Sequence, residues 1–383
     1  MKILLTGGTG SVGREAVSRL VRTGHAVRVI GRSRDVTIDG AQYASCDVTA
    51  FNELRKQVDG MDAIVHLAAI PNPFGGPTQE IFHVNCQGTY NVYAAAAEAG
   101  IKRVVCASSI NALGFTFGIR GFTVRYFPID EDHPSHTTDP YSFSKQVMEQ
   151  TAAYFWRREG ISGVCLRLPA VYDVNGWAEG WMMRQPHHFK AALDKLLALS
   201  VQERADRVKT LIEKDDAARL ERFSQPQHKL RERWGHHKHD HPETEEEKAE
   251  RRRRHKEWRE KWRERMKTDP DFPFYPLMAG RTDFWAGVTA QDCALAIEKS
   301  LVASYEGSHP LFINDRCNIL GVESELLAAT LFPGVTERTR PLRGVESLVS
   351  IDRARKLIGF EPEHSMEDRI REALANPPPA EEW

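Results

Sequence analysis

The chain has 383 residues, 41% of them hydrophobic, with 52 basic and 53 acidic side chains and a formal net charge of -1. That length and apolar content suit one large α/β domain with a second lobe. The balanced charge excludes a global pull toward nucleic acid or an anionic membrane, and no apolar stretch is long enough to span a bilayer, so neither partner is expected.

The first element is an apolar run over residues 3–5 that feeds straight into Thr6-Gly7-Gly8-Thr9-Gly10-Ser11-Val12-Gly13, followed by a helical pattern over 14–22. The glycine spacing is that of a dinucleotide-binding turn. Gly7 permits the tight turn, Gly10 lets the backbone approach a pyrophosphate, and Gly13 lets the helix pack close on the strand. The helix amides from Ser11 and Val12 onward then face the phosphates with the positive dipole end. Alone, the motif leaves room for the alternative of a tight strand-to-helix turn that binds nothing. With a strand that begins this early no signal peptide is expected, and the six scattered cysteines (Cys46, Cys86, Cys106, Cys165, Cys293, Cys317) form no CxxC pair. They read as reduced core thiols of a cytoplasmic protein.

Further apolar strands are expected over 26–30, 63–67, 103–107 and 164–168, alternating with helices over 89–99 and 145–158. Such alternation predicts a Rossmann-like, doubly wound parallel sheet, which binds ligands at the carboxyl ends of its strands. The strand ends carry the chemistry. The second strand ends in Gly31-Arg32-Ser33-Arg34. Asp47-Val48 follows a short strand-like stretch, where a carboxylate can meet an adenine amine. His66-Leu67-Ala68-Ala69 offers small residues on which a cofactor can lie, and Ser108-Ser109 ends the next strand.

Tyr141-Ser142-Phe143-Ser144-Lys145 places a phenol and an ammonium on one helix face. A free tyrosine, with a pKa of about 10, is too weakly acidic to serve as a base at neutral pH. The Lys145 cation, with the positive charge of an oxidised nicotinamide, favours the phenolate. Ser109 can then hold a substrate oxygen while Tyr141 moves the proton.

After residue 185 the composition changes. Residues 186–272 are mostly charged, with amphipathic helical patterns over 191–198 and 204–222 and a Glu/Lys/Arg-rich helix over 245–267 that carries Trp258 and Trp262. This segment reads as a helical insertion, expected to act as a lid or as a subunit contact that would build a homodimer. His236, His237, His239 and His241 form a histidine-rich turn read as a solvated loop, so no metal site is expected. Trp177 and Trp181, just before the insertion, are expected to line or cap the substrate pocket. The α/β style resumes near residue 288, with a helix over 292–302 and a strand over 311–314. The expected domains are a dinucleotide-binding core over 1–172 and a smaller substrate-binding lobe over 173–383 that returns elements to the core and contains the insertion.

In this order the motifs resemble the extended short-chain dehydrogenase/reductases of the NAD-dependent epimerase/dehydratase type. The matching positions include Thr6 to Gly13, Asp47-Val48, His66 to Ala69, Asn85, Gly88-Thr89, Asn91, Ser108-Ser109, Gly114, Tyr141 to Lys145 and Arg167-Leu168-Pro169-Ala170-Val171-Tyr172. The resemblance covers nearly everything outside 186–272. It implies a catalytic set of Ser109, Tyr141 and Lys145. It also implies a cofactor site that includes Asn85 and Ser108, with Pro169 and Val171 lining the nicotinamide, and a substrate site that includes Ile110, Asn111 and Trp177.

Departures from that pattern narrow the activity. The dehydratases follow the catalytic serine or threonine with Asp-Glu, whereas Ser109 is followed by Ile110-Asn111. The epimerases carry a diphosphate-binding arginine where this chain has Phe284-Trp285-Ala286, and Arg281 is shifted. The Ser108 to Asn111 segment is similar to uronate and aldose dehydrogenases of the same family. The expectation is an NAD(P)-dependent oxidoreductase of a small sugar-like substrate, an aldose, uronate or polyol. The alternatives are a nucleotide-sugar 4-epimerase with tightly held NAD and a cofactor-binding scaffold or regulatory protein. NAD-preferring relatives carry an acidic residue near Gly31. Here Arg32 can accept a 2′-phosphate, so NADP is the expected cofactor, with NAD as the alternative.

Overall fold

The computed structural model describes residues 1–120, 123–172, 185–224 and 244–376. In chain order the strands are β1 (Lys2–Thr6), β2 (Ala26–Gly31), β3 (Gln42–Ser45), β4 (Ala63–His66), β5 (Arg103–Ser109), β6 (Tyr126–Phe127), β7 (Ser162–Leu168), β8 (Ala170–Tyr172), β9 (Gly287–Thr289), β10 (Ser308–Phe312) and β11 (Glu337–Arg338). Seven of them form one sheet in the order β10-β7-β5-β4-β1-β2-β3, every pair parallel. β8 pairs with β9, and β6 with β11, in separate ribbons. The chain winds outward from β1 in both directions, so the switch point lies between β1 and β4, where this architecture opens its ligand crevice.

Alternation along the strands explains why both faces are covered. Ile3 and Leu5 of β1 point into one core and Leu4 into the other. Val105 of β5 likewise opposes Val104 and Cys106. Helix α1 (Ser11–Arg22) and the Ala290–Val302 helix cover the first face. The other face is covered by α2 (Phe51–Gln57), α4 (Gly88–Glu98) and α5 (Pro140–Glu159), with α3 (Thr78–Phe82) and a π-helical turn, His83–Gln87, leading into α4.

A third core lies beyond the carboxyl ends of the strands, around Leu113, Phe127, Leu277, Phe284, Trp285 and Leu331. The charge-rich segment enters it. The Gln185–Leu197 helix contributes Phe189, Leu193 and Leu196, and the Val201–Ser224 helix contributes Val208 and Leu211. This half of the insertion is therefore part of the lobe it interrupts. Asp271 ties the lobe back to that helix through ion pairs with Arg207 and Lys214. The Glu245–Thr268 helix, by contrast, exposes most of its described side chains. Trp177, Trp181 and the four histidines of 236–241 lie outside the described residues. Strand β10, the Ala290–Val302 helix and the Asp352–Ile358 helix return to the first core. All six cysteines are buried and unbridged.

Candidate active site

The glycine turn is shaped by contacts on three sides. Gly7 has φ +76, and a Cβ there would sit 2.7 Å from the Ala68 amide nitrogen, so β1 and β4 approach as only glycine allows. A Cβ on Gly13 would lie 2.3 Å from the Gly7 carbonyl oxygen. Gly10 differs: its nearest neighbour would be 3.5 Å away, so the chain's own packing does not require glycine there. The open space at Gly10 lies at the N-terminus of α1, which has no side-chain cap and no acidic residue in its first turn. Ser11, Val12 and Gly13 thus offer helix amides beside an open cradle, an arrangement that fits a dinucleotide diphosphate.

The floor of the crevice is fixed by a buried hydrogen-bond chain. The Thr6 hydroxyl oxygen accepts from the Leu67 and Ala68 amides, at 3.1 and 3.0 Å, and so donates its proton to His66 Nδ1 at 2.8 Å. His66 Nε2 then donates to Thr89 Oγ1 at 3.1 Å, which donates onward to the Asn85 carbonyl. The imidazole is neutral in this chain, and burial with the nearby Lys145 charge lowers its pKa to about 3. Asn85 clamps Ile70 from both sides, at 2.8 and 3.1 Å, and donates to Ser144 Oγ at 2.9 Å. Its side chain therefore holds the 67–70 segment against α5. Val48 is buried against Gly88, and Asp47 accepts from the Thr49 amide and hydroxyl, both at 2.8 Å.

Ser108 and Ser109, adjacent on β5, point to opposite sides. The Ser108 hydroxyl donates to Glu149 at 2.7 Å, and Glu149 in turn receives Arg167 through two bonds of 2.9 and 2.8 Å. That hydroxyl is committed to a buried ion pair. Ser109 caps the turn Ile110–Leu113, accepting from the Asn111 amide at 3.1 Å and donating to the Leu168 carbonyl at 3.4 Å. Asn111 Oδ1 accepts from the Thr116 amide at 3.2 Å. The loop beyond is held by Arg219 of the Val201–Ser224 helix, which donates to the Phe115 carbonyl at 2.9 Å.

Asp139 starts α5 by accepting from the Ser142 amide at 2.9 Å, and Pro140 opens the first turn. Tyr141 and Lys145 follow one turn apart, both buried. Burial pushes the Tyr141 phenol up to about 12, an effect partly offset by the Ser109 hydroxyl and reinforced by Asp139. Burial lowers Lys145 to about 8. Its ammonium donates to the Ala107 carbonyl at 2.7 Å and lies 5.7 Å from the Tyr141 ring centroid. Phe117 meets the Tyr141 ring edge-on at 5.8 Å.

On the adenosine side, Arg32 is exposed and its guanidinium has no partner among the described residues. Tyr43 donates to the Ser33 carbonyl at 2.8 Å, and its hydroxyl would lie 3.0 Å from a Cβ placed on Gly31. Pro169 is buried and Val171 partly buried where β7 passes into β8. Sequence patterns did not single out Arg219, Glu149 or Asp283, which take their places through contacts between distant segments. No group of three metal-ligating side chains occurs among the described residues, and no helix among them is long and apolar enough to cross a membrane.

Residues 3–193 match the family model described as "Epimerase: NAD dependent epimerase/dehydratase family". Over 174 residues the chain is 30% identical to a uronate dehydrogenase from Pseudomonas syringae pv. tomato, covering 44% of this chain and 58% of that one. Over 173 residues it is 32% identical to an L-arabinose 1-dehydrogenase (NAD(P)(+)) from Haloferax volcanii, covering 44% and 66%. The chain thus spans less than two thirds of either relative's length. A solved UDP-glucose 4-epimerase from Thermotoga maritima, determined with UDP-glucose, has a TM-score of 0.55 at 16% identity over 98% of each chain, which shows a shared fold.

Proposed function

We propose that this chain, which belongs to the NAD dependent epimerase/dehydratase family, is an NAD(P)-dependent oxidoreductase acting at a carbinol or carbonyl of a sugar-like substrate. The observation that carries the reading is the convergence of Ser109, Tyr141 and Lys145 at the carboxyl end of β5, beside a glycine cradle open at Gly10. The matching relatives support the substrate class: one is named for a uronate and one for an aldose.

The amides of Ser11, Val12 and Gly13 would hold the diphosphate, and Asp47 and Val48 the adenine. The backbone at Leu67, Ala68 and Ala69 would support the ribose, and Pro169 and Val171 would border the nicotinamide. A bound nicotinamide dinucleotide supplies the hydride acceptor or donor. In the oxidation direction Ser109 Oγ orients the substrate hydroxyl and Tyr141 Oη takes its proton. Lys145 sits one turn below with a pKa lowered to about 8, and its positive charge favours the phenolate. Ile110 and Asn111 border the reacting carbon's side of the site. Arg32, exposed and unpaired among the described residues, suits a 2′-phosphate, so NADP is the favoured cofactor.

The test is a screen of aldoses, uronates, polyols and nucleotide sugars with NAD+ and NADP+, read as reduced nicotinamide. Net reduction with a free sugar is expected. Interconversion of nucleotide sugars without net reduction overturns the reading in favour of an epimerase. Tyr141→Phe should lower kcat by about 10²- to 10⁴-fold while leaving the cofactor Kd within about threefold.

A further inference from the structure

Tyr141 packs against an aromatic pair supplied by two loops. Adjacent strands β4 and β5 each lead, at their carboxyl ends, into an irregular segment. Phe74 lies beyond β4 and Phe117 beyond β5. Their rings meet edge to face, with centroids 5.9 Å apart and an interplanar angle of 88°. Phe117 in turn meets the Tyr141 ring at 5.8 Å and 80°. Ile70, Ile81 and Val84 complete an apolar cluster around Tyr141. Tyr141 is 6% exposed, whereas Phe74 and Phe117 are both partly exposed. The two phenylalanines thus stand between the Tyr141 ring and solvent.

Both loops are held close to these rings. Asn85 clamps Ile70, and the Asn72 side chain accepts from the Phe74 amide at 2.9 Å. Gly114, with φ +96, leaves no room for a Cβ beside the His136 carbonyl. Arg219 holds the Phe115 carbonyl, and Thr116 is bonded to Asn111 and to the Thr282 carbonyl. A Cβ on Gly118 would lie 2.5 Å from the Gly114 carbonyl oxygen, so the loop folds back on itself directly after Phe117. The Ile119 amide donates to Thr138 Oγ1 at 2.9 Å and ties the loop to the approach to α5. Phe117 is therefore fixed from both flanks, and an edge-to-face contact on such a frame restricts the ring it meets.

We propose that Phe117, braced by Phe74, is a positioning residue for Tyr141, holding the phenol ring in its working orientation and closing it to water. The proposal rests on the oxidoreductase reading above and deepens the account of that same site. Proton transfer needs donor and acceptor within hydrogen-bond reach, so a ring free to swing loses rate. Excluding water also strengthens the charges that act on the phenol. Among the described residues, the Lys145 ammonium, 5.7 Å from the ring centroid, favours the phenolate, and Asp139 opposes it. Ser109 contributes a hydroxyl, and Ile70, Ile81, Val84 and Phe117 contribute no charge.

Phe117→Ala opens this side of the ring. In the cofactor-free protein the Tyr141 phenol should then fall from about 12 toward the free value of about 10. NMR of tyrosine isotope-labelled at Cζ reads the ionisation, with the Tyr141 signal assigned by its loss in Tyr141→Phe. At about pH 10.5 the parent should show the phenol and the variant a mixture with phenolate. In turnover Phe117→Ala should lower kcat about tenfold while KM stays within about twofold, because the contact is to Tyr141 and not to substrate. Phe117→Leu, which keeps an apolar side chain against the ring, should restore the parent signal and most of kcat. Phe74→Ala removes the brace alone and should move both readouts the same way by a smaller amount, so the test does not depend on one variant folding. An unshifted Tyr141 signal in the alanine variants overturns the proposal. So does a KM raised about tenfold with kcat unchanged, which makes Phe117 a substrate contact. If the parent reduces neither cofactor with any sugar while the signal shift is present, the oxidoreductase reading fails and the placement of Tyr141 by Phe117 stands.

Discussion

The Lys145 ammonium donates to the Ala107 carbonyl oxygen across 2.7 Å, inside the protein and one helical turn from Tyr141. One backbone bond only partly replaces the water this cation has lost, and its pKa falls to about 8. The unfolded lysine titrates at about 10.4. Between those values the unfolded chain binds the extra proton, so stability rises with pH across that window, and below it the cost is fully present. Lys145→Met should therefore stabilise the cofactor-free protein by about 1–3 kcal/mol at pH 7, after allowing for the lost hydrogen bond, while lowering kcat. Urea denaturation alongside turnover checks both halves; a variant less stable than the parent at pH 7 refutes the first.

Gly10 and Gly13 should respond differently to alanine. At Gly13 the new methyl meets the Gly7 carbonyl at 2.3 Å, so the turn must open and both stability and cofactor affinity fall. At Gly10, where φ is -74 and the nearest atom 3.5 Å away, the fold accepts the methyl. The methyl would still fill the proposed phosphate cradle. Gly10→Ala should keep Tm within about 2 °C yet raise the cofactor Kd about tenfold or more. Calorimetric binding beside a thermal melt tells the two apart. Equal loss of stability in both variants would contradict the cradle.

Arg32→Ala should lower kcat/KM for NADP by about tenfold or more, the scale of one charge-assisted phosphate contact, and change that for NAD by less than about threefold. Parallel steady-state kinetics with the two cofactors provide the check. Equal effects on both would assign Arg32 to the adenine or to solvent.

Leu196, fully buried, is a core residue inside the charge-rich segment. Leu196→Ala should destabilise the protein by about 2–5 kcal/mol. Deleting residues 186–272 removes it together with Phe189, Leu193, Val208 and Leu211, and should collapse the second lobe. Removing only residues 245–268 should leave the melting transition cooperative. Oligomer mass and KM of that shorter deletion then report whether its helix serves as a lid or a subunit contact.

Much of the first half is legible because its signals are local. β1 and the turn after it are set by Ile3, Leu4 and Leu5 followed by glycines, and Gly7 and Gly13 occupy positions where any side chain would collide. The helical pattern predicts the next helix over 145–158, whereas the Asp139 cap and Pro140 start α5 five residues earlier, with Tyr141 and Lys145 on one face. The structure adds side-chain partners that the pattern does not show. The Ser108 hydroxyl donates to Glu149, which also receives Arg167. Asn85 likewise spends its amide on Ile70 and Ser144.

The segment after residue 185 shows the opposite case. Its amphipathic patterns mark apolar faces, but spacing on a helix cannot say what lies opposite, and the structure packs Phe189, Ala192, Leu193, Leu196, Val208 and Leu211 into a core. By itself the sequence determined the strand–helix alternation, the glycine turn and the Tyr141–Lys145 spacing, since each depends on residues a few positions apart. Only the tertiary structure decided that Arg219 steadies the Phe115 loop and that the Thr116 hydroxyl meets the Thr282 carbonyl. Those pairs are separated by more than one hundred positions, and their approach is set by packing between lobes.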